Sequence, residues 1–199
     1  MDEWPARTGG SAAAWLPRAL FESSLIVFSV LLALAVDQWR DHRASVLRAR
    51  EAVVALRAEV ESNRTAVQRA HDFHVGVKER LQPYIDKKAL PDESELKGLF
   101  EPALLLQTAW LMARDTNALE PMPFDFVLRV SRVYEQQALY TDLARAMSND
   151  VYVDLRRRGY DQAIRQNFAS FVVLATDFSS RESRLLKIYD DVLTNFPTY

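Results

Sequence analysis

Residues 20–39 of this chain read LFESSLIVFSVLLALAVDQW, and they decide how the fold begins. Crossing a hydrocarbon core of roughly 30 Å takes about 20 mostly apolar helical residues. The central part of the stretch, LIVFSVLLALAV, is apolar except for Ser29. The stretch therefore predicts a single-pass transmembrane helix over residues 19–39. We expect the N-terminal tail before it, residues 1–18, to be poorly ordered.

Both ends of the stretch fit the interfaces of a bilayer. Glu22 and Asp37 lie near the ends, where a carboxylate costs far less than at the bilayer centre. Trp15 and Trp39 flank the span, as aromatic belt residues do. A cleaved signal peptide is disfavoured, because the segment begins late, its flank is not strongly basic and no small-x-small site precedes Asp37. A buried helix of a soluble domain is the other alternative.

One face of this helix carries small and polar residues: Glu22, Ser29, Ala33 and Asp37. At 100° per residue these four fall within about 80° of one another. Ser29 and Ala33 have the small-xxx-small spacing that lets two helices approach closely. The pattern predicts a helix-association face, and the alternative is that Glu22 and Asp37 only mark the membrane boundaries.

The helical pattern continues beyond Arg40. In a heptad frame that starts at Val46, six repeats place apolar residues at positions a and d, with the polar exceptions Asn63 and His74. The frame predicts one long helix that reaches about Tyr84, continuous with the span and coiled-coil-like in its pattern. The positions concerned are Val46, Ala49, Val53, Leu56, Val60, Asn63, Val67, Ala70, His74, Val77, Leu81 and Tyr84.

Prolines mark the connections that follow. Pro83 and then Pro91 predict the end of the long helix. Asp92 is the predicted N-cap of the next helix, with Glu95 at the capping-box spacing. We expect a helix or a helix pair from there to about Thr116, with a break at Glu101-Pro102.

Two regular stripes then predict two long helices, separated by a turn near Gly159. The expected fold is all-α: residues 40–199 form an elongated antiparallel bundle of about four main helices. The first stripe consists of Phe126, Val130, Val133, Gln137, Tyr140, Ala144 and Met147. The second consists of Ile164, Phe168, Phe171, Ala175, Phe178, Glu182, Leu185, Tyr189, Val192 and Phe196.

The sequence offers few residues for chemistry. Asn63, His74 and Gln137 are the candidate polar-core residues, and a buried Asn in a helical seam fixes register or oligomer number, or bonds a neighbouring helix. His71 and His74 have a spacing that can share a metal, but a packed histidine explains His74 better. Trp110 and Tyr134 lie on or near core stripes rather than in a pocket. We therefore expect no catalytic residue, metal or cofactor.

The charge and cysteine content bear on the class of partner and on the cellular compartment of the chain. Residues 40–199 carry 23 basic and 23 acidic residues, which gives no electrostatic case for nucleic acid. The chain has no Cys, so disulfides give no indication of its compartment. Arginines after the span favour a cytoplasmic over a periplasmic C-terminal domain under the positive-inside rule.

Several segments carry a resemblance to a known group of proteins: FESSLIVFSVLLALAVDQWRDHR (21–43), VVALRAEVESNR (53–64), TAWLMARDTNAL (108–119) and VLRVSRVYEQQ (127–137). The chain resembles uncharacterised bacterial single-span membrane proteins that combine an N-terminal LIVxSVLLALxxxxW-type span with a helical domain. The resemblance implies an inner-membrane location and a helical domain, and it carries no activity.

These patterns predict a membrane-anchored helical interaction or scaffold module. Its expected partners are the lipid bilayer and either a second copy of the chain or another membrane protein. The alternative is a membrane-anchored sensor, with a small molecule bound between bundle helices near Trp110, Tyr134 and Gln137.

Overall fold

The computed structural model describes residues 16–158 and 160–197, and in these ranges it contains helices and no strand. The all-α prediction is confirmed, and so is the continuation of the first helix from the apolar stretch into the bundle. Most of the tail predicted over residues 1–18 lies outside the described residues, and α1 begins at Leu16. The four helices are α1 (Leu16–Asp86), α2 (Thr108–Asp115), α3 (Phe124–Arg158) and α4 (Tyr160–Thr194).

The chain contacts divide the protein into two compact units, Met1–Ser45 and Val46–Tyr199. In the first unit, α1 is long and apolar enough to cross a membrane, and none of its most apolar window is buried. The Ser29 hydroxyl donates to the Leu25 carbonyl at 2.7 Å, so this polar group is satisfied within the helix itself.

The end of α1 differs slightly from the prediction. Pro83 lies inside the last turn, and the helix ends at Asp86. Lys88 has φ 50°, the left-handed conformation that closes many helices. The Ala89 N–H donates to the Tyr84 carbonyl and the Lys88 N–H to the Ile85 carbonyl, so two terminal carbonyls are satisfied.

The prediction of a helix that starts after Asp92 is wrong. Glu93–Leu96 forms a single 3₁₀ turn, and the Asp92 side chain makes no capping hydrogen bond. Gly98 then has φ +58°, which ends the turn in a conformation that favours glycine. The chain next runs without helix to Gln107, so the break predicted at Pro102 falls within this irregular segment.

Side-chain pairs fix the directions of the three long helices in the second unit. Arg64 meets Asp190 and His74 meets Glu182, so α4 runs antiparallel to α1. Tyr140 also meets Glu182, and further along the same two helices Gln137 meets Tyr189, so α4 runs antiparallel to α3 as well.

The predicted stripes form the core of this bundle, while the side chain of Ile164 and the predicted turn residue Gly159 lie outside what the structure describes. Leu56, Val130, Val133, Phe178 and Tyr189 have no exposed surface, and all belong to the stripes read from the sequence. A second, smaller cluster gathers α1, α4 and the segment around the 3₁₀ turn. Its members are Val77, Leu81, Leu96, Leu99, Phe171, Val172 and Ala175.

Candidate functional site

The bundle interior contains a polar pair formed by His74 on α1 and Glu182 on α4. Both side chains have 0% exposure, and His74 Nδ1 lies 3.0 and 3.1 Å from the two carboxylate oxygens of Glu182. The pair exists because both residues occupy core positions of their stripes, one on each of two antiparallel helices. A polar group taken out of water is costly unless it is hydrogen-bonded, and here each partner satisfies the other.

The other ring nitrogen of His74 fixes the tautomer. The Glu101 backbone N–H donates to His74 Nε2 at 3.4 Å, so Nε2 is an acceptor and carries no proton. Nδ1 must then carry the proton that it donates to Glu182. This assignment follows from the hydrogen-bond network.

Tyr140 of α3 completes the arrangement. Its hydroxyl donates to Glu182 Oε1 at 2.7 Å and accepts the Ala103 backbone N–H at 2.9 Å. Burial raises the pKa of Tyr140 above its ordinary value, and the charge of Glu182 raises it further. One carboxylate therefore joins α1, α3 and α4, and His74 and Tyr140 extend the network to the segment before α2.

Aromatic rings enclose the polar pair. The His74 ring lies 5.4 Å from the ring of Phe73, 5.7 Å from that of Phe100 and 5.5 Å from that of Phe178, between ring centroids. A general base needs a ring nitrogen within reach of a substrate proton. His74 has no exposed surface, and both of its nitrogens are engaged, so the geometry of the pair fits a structural role better than a catalytic one.

A second buried carboxylate, Glu59, lies on α1 about one helical turn before Asn63. Its oxygens accept the Tyr134 hydroxyl at 2.7 Å and the backbone N–H groups of Ala109 and Trp110 at 2.8 and 3.4 Å. These two amides belong to the first turn of α2, which lacks a side-chain cap of its own. Glu59 therefore caps α2 from another helix, where the helix dipole favours negative charge.

Asn63 lies beside Glu59 and holds the chain just before α2. Its Nδ2 donates to the Leu106 carbonyl at 2.7 Å, and its Oδ1 accepts the Leu106 N–H at 2.8 Å. The sequence interpretation was wrong in one respect, because Asn63 bonds an irregular segment instead of a neighbouring helix. The backbone between Phe100 and α2 pairs with no sheet or helix, so side chains of α1 and α3 replace those bonds.

Gln137, the third candidate polar-core residue, is also buried. Its Nε2 donates to the Tyr189 hydroxyl at 2.6 Å, which links α3 to α4. Its Oε1 is buried without a hydrogen bond within the described residues. Burial raises the pKa of Tyr189, although the hydrogen bond from Gln137 acts in the opposite direction.

The remaining candidates do not join this network. His71 Nδ1 lies 3.0 Å from the Ser179 carbonyl oxygen, so His71 and His74 have different partners. Among the described residues, no three His, Asp or Glu side chains are grouped to hold a metal. The association-face residues Glu22, Ser29, Ala33 and Asp37 are exposed on α1 in the unit Met1–Ser45.

Sequence reasoning placed Glu182, Tyr140 and Tyr189 in core stripes without recognising that Glu182 bonds Tyr140 and that Tyr189 bonds Gln137. A carboxylate inside an otherwise apolar stripe was the available signal, because a core position demands a partner for it. Glu59 was missed, since it stands beside the a position of Val60 and reads as a solvated residue.

No protein-family model, curated protein or solved structure matches this chain with significant similarity. Its function must therefore be inferred from its own residues.

The His74–Glu182 pair predicts strong energetic coupling. Glu182→Leu leaves the His74 N–H and the Tyr140 O–H without their buried acceptor, and His74→Phe removes a donor from the carboxylate, so each should cost about 1–3 kcal/mol. The double variant should cost at least ~0.5 kcal/mol less than the sum. Urea unfolding of the full chain in a mild detergent measures the free energy of unfolding of the parent, the two single variants and the double variant. Glu61→Leu, at an exposed ion pair, is the control and should change stability by less than about 0.5 kcal/mol. Strict additivity would contradict the coupling.

The buried tyrosines predict a loss of stability in alkali. Burial raises the pKa of Tyr134, Tyr140 and Tyr189, so the folded chain keeps these protons while the unfolded chain releases them above about pH 10. Their contribution to the free energy of unfolding is complete below that pH. It falls as the pH rises further, by about 1.4 kcal/mol per pH unit for each tyrosine. Urea unfolding between pH 8 and 11 measures the slope. Tyr140→Phe should reduce it and Leu139→Ala should not; equal slopes would count against this origin.

Loss of the Asn63 side chain should destabilise the structure locally, in the segment before α2. Asn63→Leu has a similar size but loses both hydrogen bonds to Leu106, so the segment before α2 should open more often. Hydrogen–deuterium exchange should accelerate in peptides covering residues 101–107 and stay unchanged in peptides covering residues 171–178. Thr65→Val, an exposed change one half-turn along α1, is the control. Uniform acceleration throughout the bundle would indicate global destabilisation instead.

Proposed function

We propose that this chain is a membrane-anchored helical interaction module that associates with a second copy of itself or with another membrane protein. The observation that carries the proposal is the apolar segment of α1: it is long enough to span a bilayer, and none of its most apolar window is buried against the rest of the chain. Leaving so much contiguous apolar surface in water is unfavourable, and a bilayer removes that cost. The resemblance of the sequence to bacterial single-span proteins supports the inner membrane as its location.

The buried polar network supports an interaction role over an enzymatic one. Glu182 has 0% exposure, and its hydrogen bonds go to His74 and Tyr140, while Glu59 is engaged by α2 and Tyr134. Such an arrangement engages both carboxylates within the bundle and holds its helices in register. The bundle serves in this proposal as a rigid support for a contact surface.

The packing around Trp110 favours the interaction module over the alternative of a ligand sensor. The Trp110 and Tyr134 rings stack with centroids 5.2 Å apart and an angle of 11° between their planes. The Tyr134 hydroxyl is engaged by Glu59, and Gln137 is engaged by Tyr189. Side chains thus occupy the place where a ligand was expected, and a small molecule would have to displace a stacked pair.

Self-association of the span is the part of the proposal that Ser29 and Ala33 support. Small residues one turn apart permit close packing of two helices in lipid, where packing and hydrogen bonds drive association. Glu22 and Asp37 flank this face and would hydrogen-bond across it or lie at the interfaces. The arginines that follow the span support a cytoplasmic bundle under the positive-inside rule.

The proposal predicts membrane retention and an oligomer that depends on the small residues. The chain should sediment with membranes and resist extraction with alkaline carbonate, and native mass measurement in a mild detergent should give a dimer or larger. The double substitution Ser29→Leu with Ala33→Leu should weaken association by at least about 1 kcal/mol, because the two helices can no longer pack closely. The measured mass should then shift towards that of the monomer.

Val27→Leu with Leu31→Ile, on the opposite side of the helix, is the matched control and should leave the mass distribution unchanged. Release of the chain by carbonate would overturn the anchor. A strict monomer that neither pair of substitutions changes would overturn self-association through the span.

A further inference from the structure

The bundle part of α1 has an open face as well as a buried one. Leu56 points into the core with no exposed surface, whereas Val54 and Ala58, two residues to either side, lie about 160° away around the helix. Val54 is 71% exposed and Leu47 is 51% exposed. We call this exposed side of α1, from Leu47 to Ser62, the open face.

A groove runs beside the open face, between α1 and α2. Its volume is about 740 Å³, and alanines of α1, Ala52, Ala55 and Ala58, line its α1 side. Met112 of α2 lines the opposite side and is 59% exposed. From residue 48 to residue 62 the groove spans about 21 Å along α1, or four helical turns. A concave strip of this length with an alanine wall fits a helix better than a small, deeply enclosed ligand.

Two opposite charges, Arg48 and Glu51, stand at one end of the groove. They are three residues apart on α1, yet neither is part of an ion pair or hydrogen bond in the described portion of the chain. Elsewhere on the same helix, Arg57 pairs with Glu61, four residues away, at 3.0 Å. The charges at the end of the groove are therefore available to a partner.

Self-complementarity identifies that partner. A two-fold interface uses the same patch on both molecules, so the patch must hold a projection and its matching recess, and a charge and its opposite. The open face has Leu47 and Val54 as projections, the alanine-lined groove as recess, and Arg48 beside Glu51. Arg48 and Glu51 are three residues, about 4.5 Å, apart along α1, so a parallel pairing of two open faces brings Arg48 of one copy within reach of Glu51 of the other.

We propose that the open face of α1 and its groove form a contact with a second copy of this chain. The proposal rests on the membrane anchor proposed above, which holds both copies in one membrane, and it adds an interface within Val46–Tyr199. Val54 and Leu47 of each copy pack against the alanines of the other, and Arg48 pairs reciprocally with Glu51. The contact is isologous, so each substitution in the patch acts twice in the dimer.

Cysteine crosslinking in native membranes tests this contact, since the natural chain contains no Cys. Single variants Val54→Cys and Ala58→Cys should form disulfide-linked dimers on mild oxidation. The controls Leu139→Cys on α3 and Val173→Cys on α4 are exposed at sites outside the patch and should remain monomeric. Equal crosslinking at all four sites would indicate random collision and overturn the proposal, as would absence of a dimer at both patch sites. A product with the mass of a different protein would assign the groove to another partner and overturn it too.

Charge reversal provides the second test. In the Val54→Cys background, Arg48→Glu and Glu51→Arg should each lower the dimer yield at least fivefold, because like charges then face each other. The double reversal restores the opposite pair and should return the yield to within twofold of the parent. Failure of the double variant to recover, in protein that retains its helical circular dichroism, would overturn the reciprocal pairing.

The two proposals fail in different measurements. Carbonate extraction of the same cysteine variants reports the anchor and does not depend on the open face. Membrane-retained protein without a patch-specific dimer refutes the open-face contact and leaves the anchor standing. Protein released by carbonate refutes the anchor, and patch-specific dimers in that released fraction would still support the contact itself.

Discussion

The fold of the second unit depends on the need to satisfy one buried carboxylate. Glu182 has no exposed surface, and without its two donors it would have to lose its solvation uncompensated. His74 and Tyr140 supply those donors from two different helices, and each also binds a backbone amide of the segment before α2. Helix packing and the course of an irregular segment are therefore coupled through a single side chain.

This coupling explains how three long helices with similar apolar stripes keep one register. A shift of one turn, about 5.4 Å, moves an apolar stripe onto equivalent apolar positions at modest cost. The same shift separates Glu182 from Tyr140 and Gln137 from Tyr189, which leaves buried polar atoms without partners. Polar pairs thus penalise the alternatives that hydrophobic burial alone tolerates, a role known for single polar residues in helical seams.

Sequence reasoning could predict the elements that follow a helical period. The stripes of α1, α3 and α4 were read correctly because burial on one side imposes a repeat of three and four residues that is independent of the partner helix. The partners themselves were not predictable, because which stripe faces which depends on connections that carry no period. The segment before α2 is the clearest case: its backbone is satisfied by Asn63 and Tyr140, which lie 43 and 37 residues away from their bonded partners. Glu59 was missed for the same reason, since the amides that it caps belong to another element.

The open face of α1 is too small to form a stable interface by itself. A strip about 21 Å long and one helix wide, roughly 11 Å, covers about 230 Å² on each molecule, well below the ~800 Å² per partner of a stable interface between free proteins. A contact of this size would be weak in dilute solution. In the proposed arrangement, two chains held in one membrane by associating spans would meet at a local concentration in the millimolar range, at which a weak contact becomes populated. Small side chains and one reciprocal ion pair are consequently sufficient on this face, and a larger apolar surface would favour aggregation of the bundle before it reached the membrane. In the proposed arrangement the anchor thus supplies the proximity that a contact of this size needs, and the contact adds little association before two chains share a membrane.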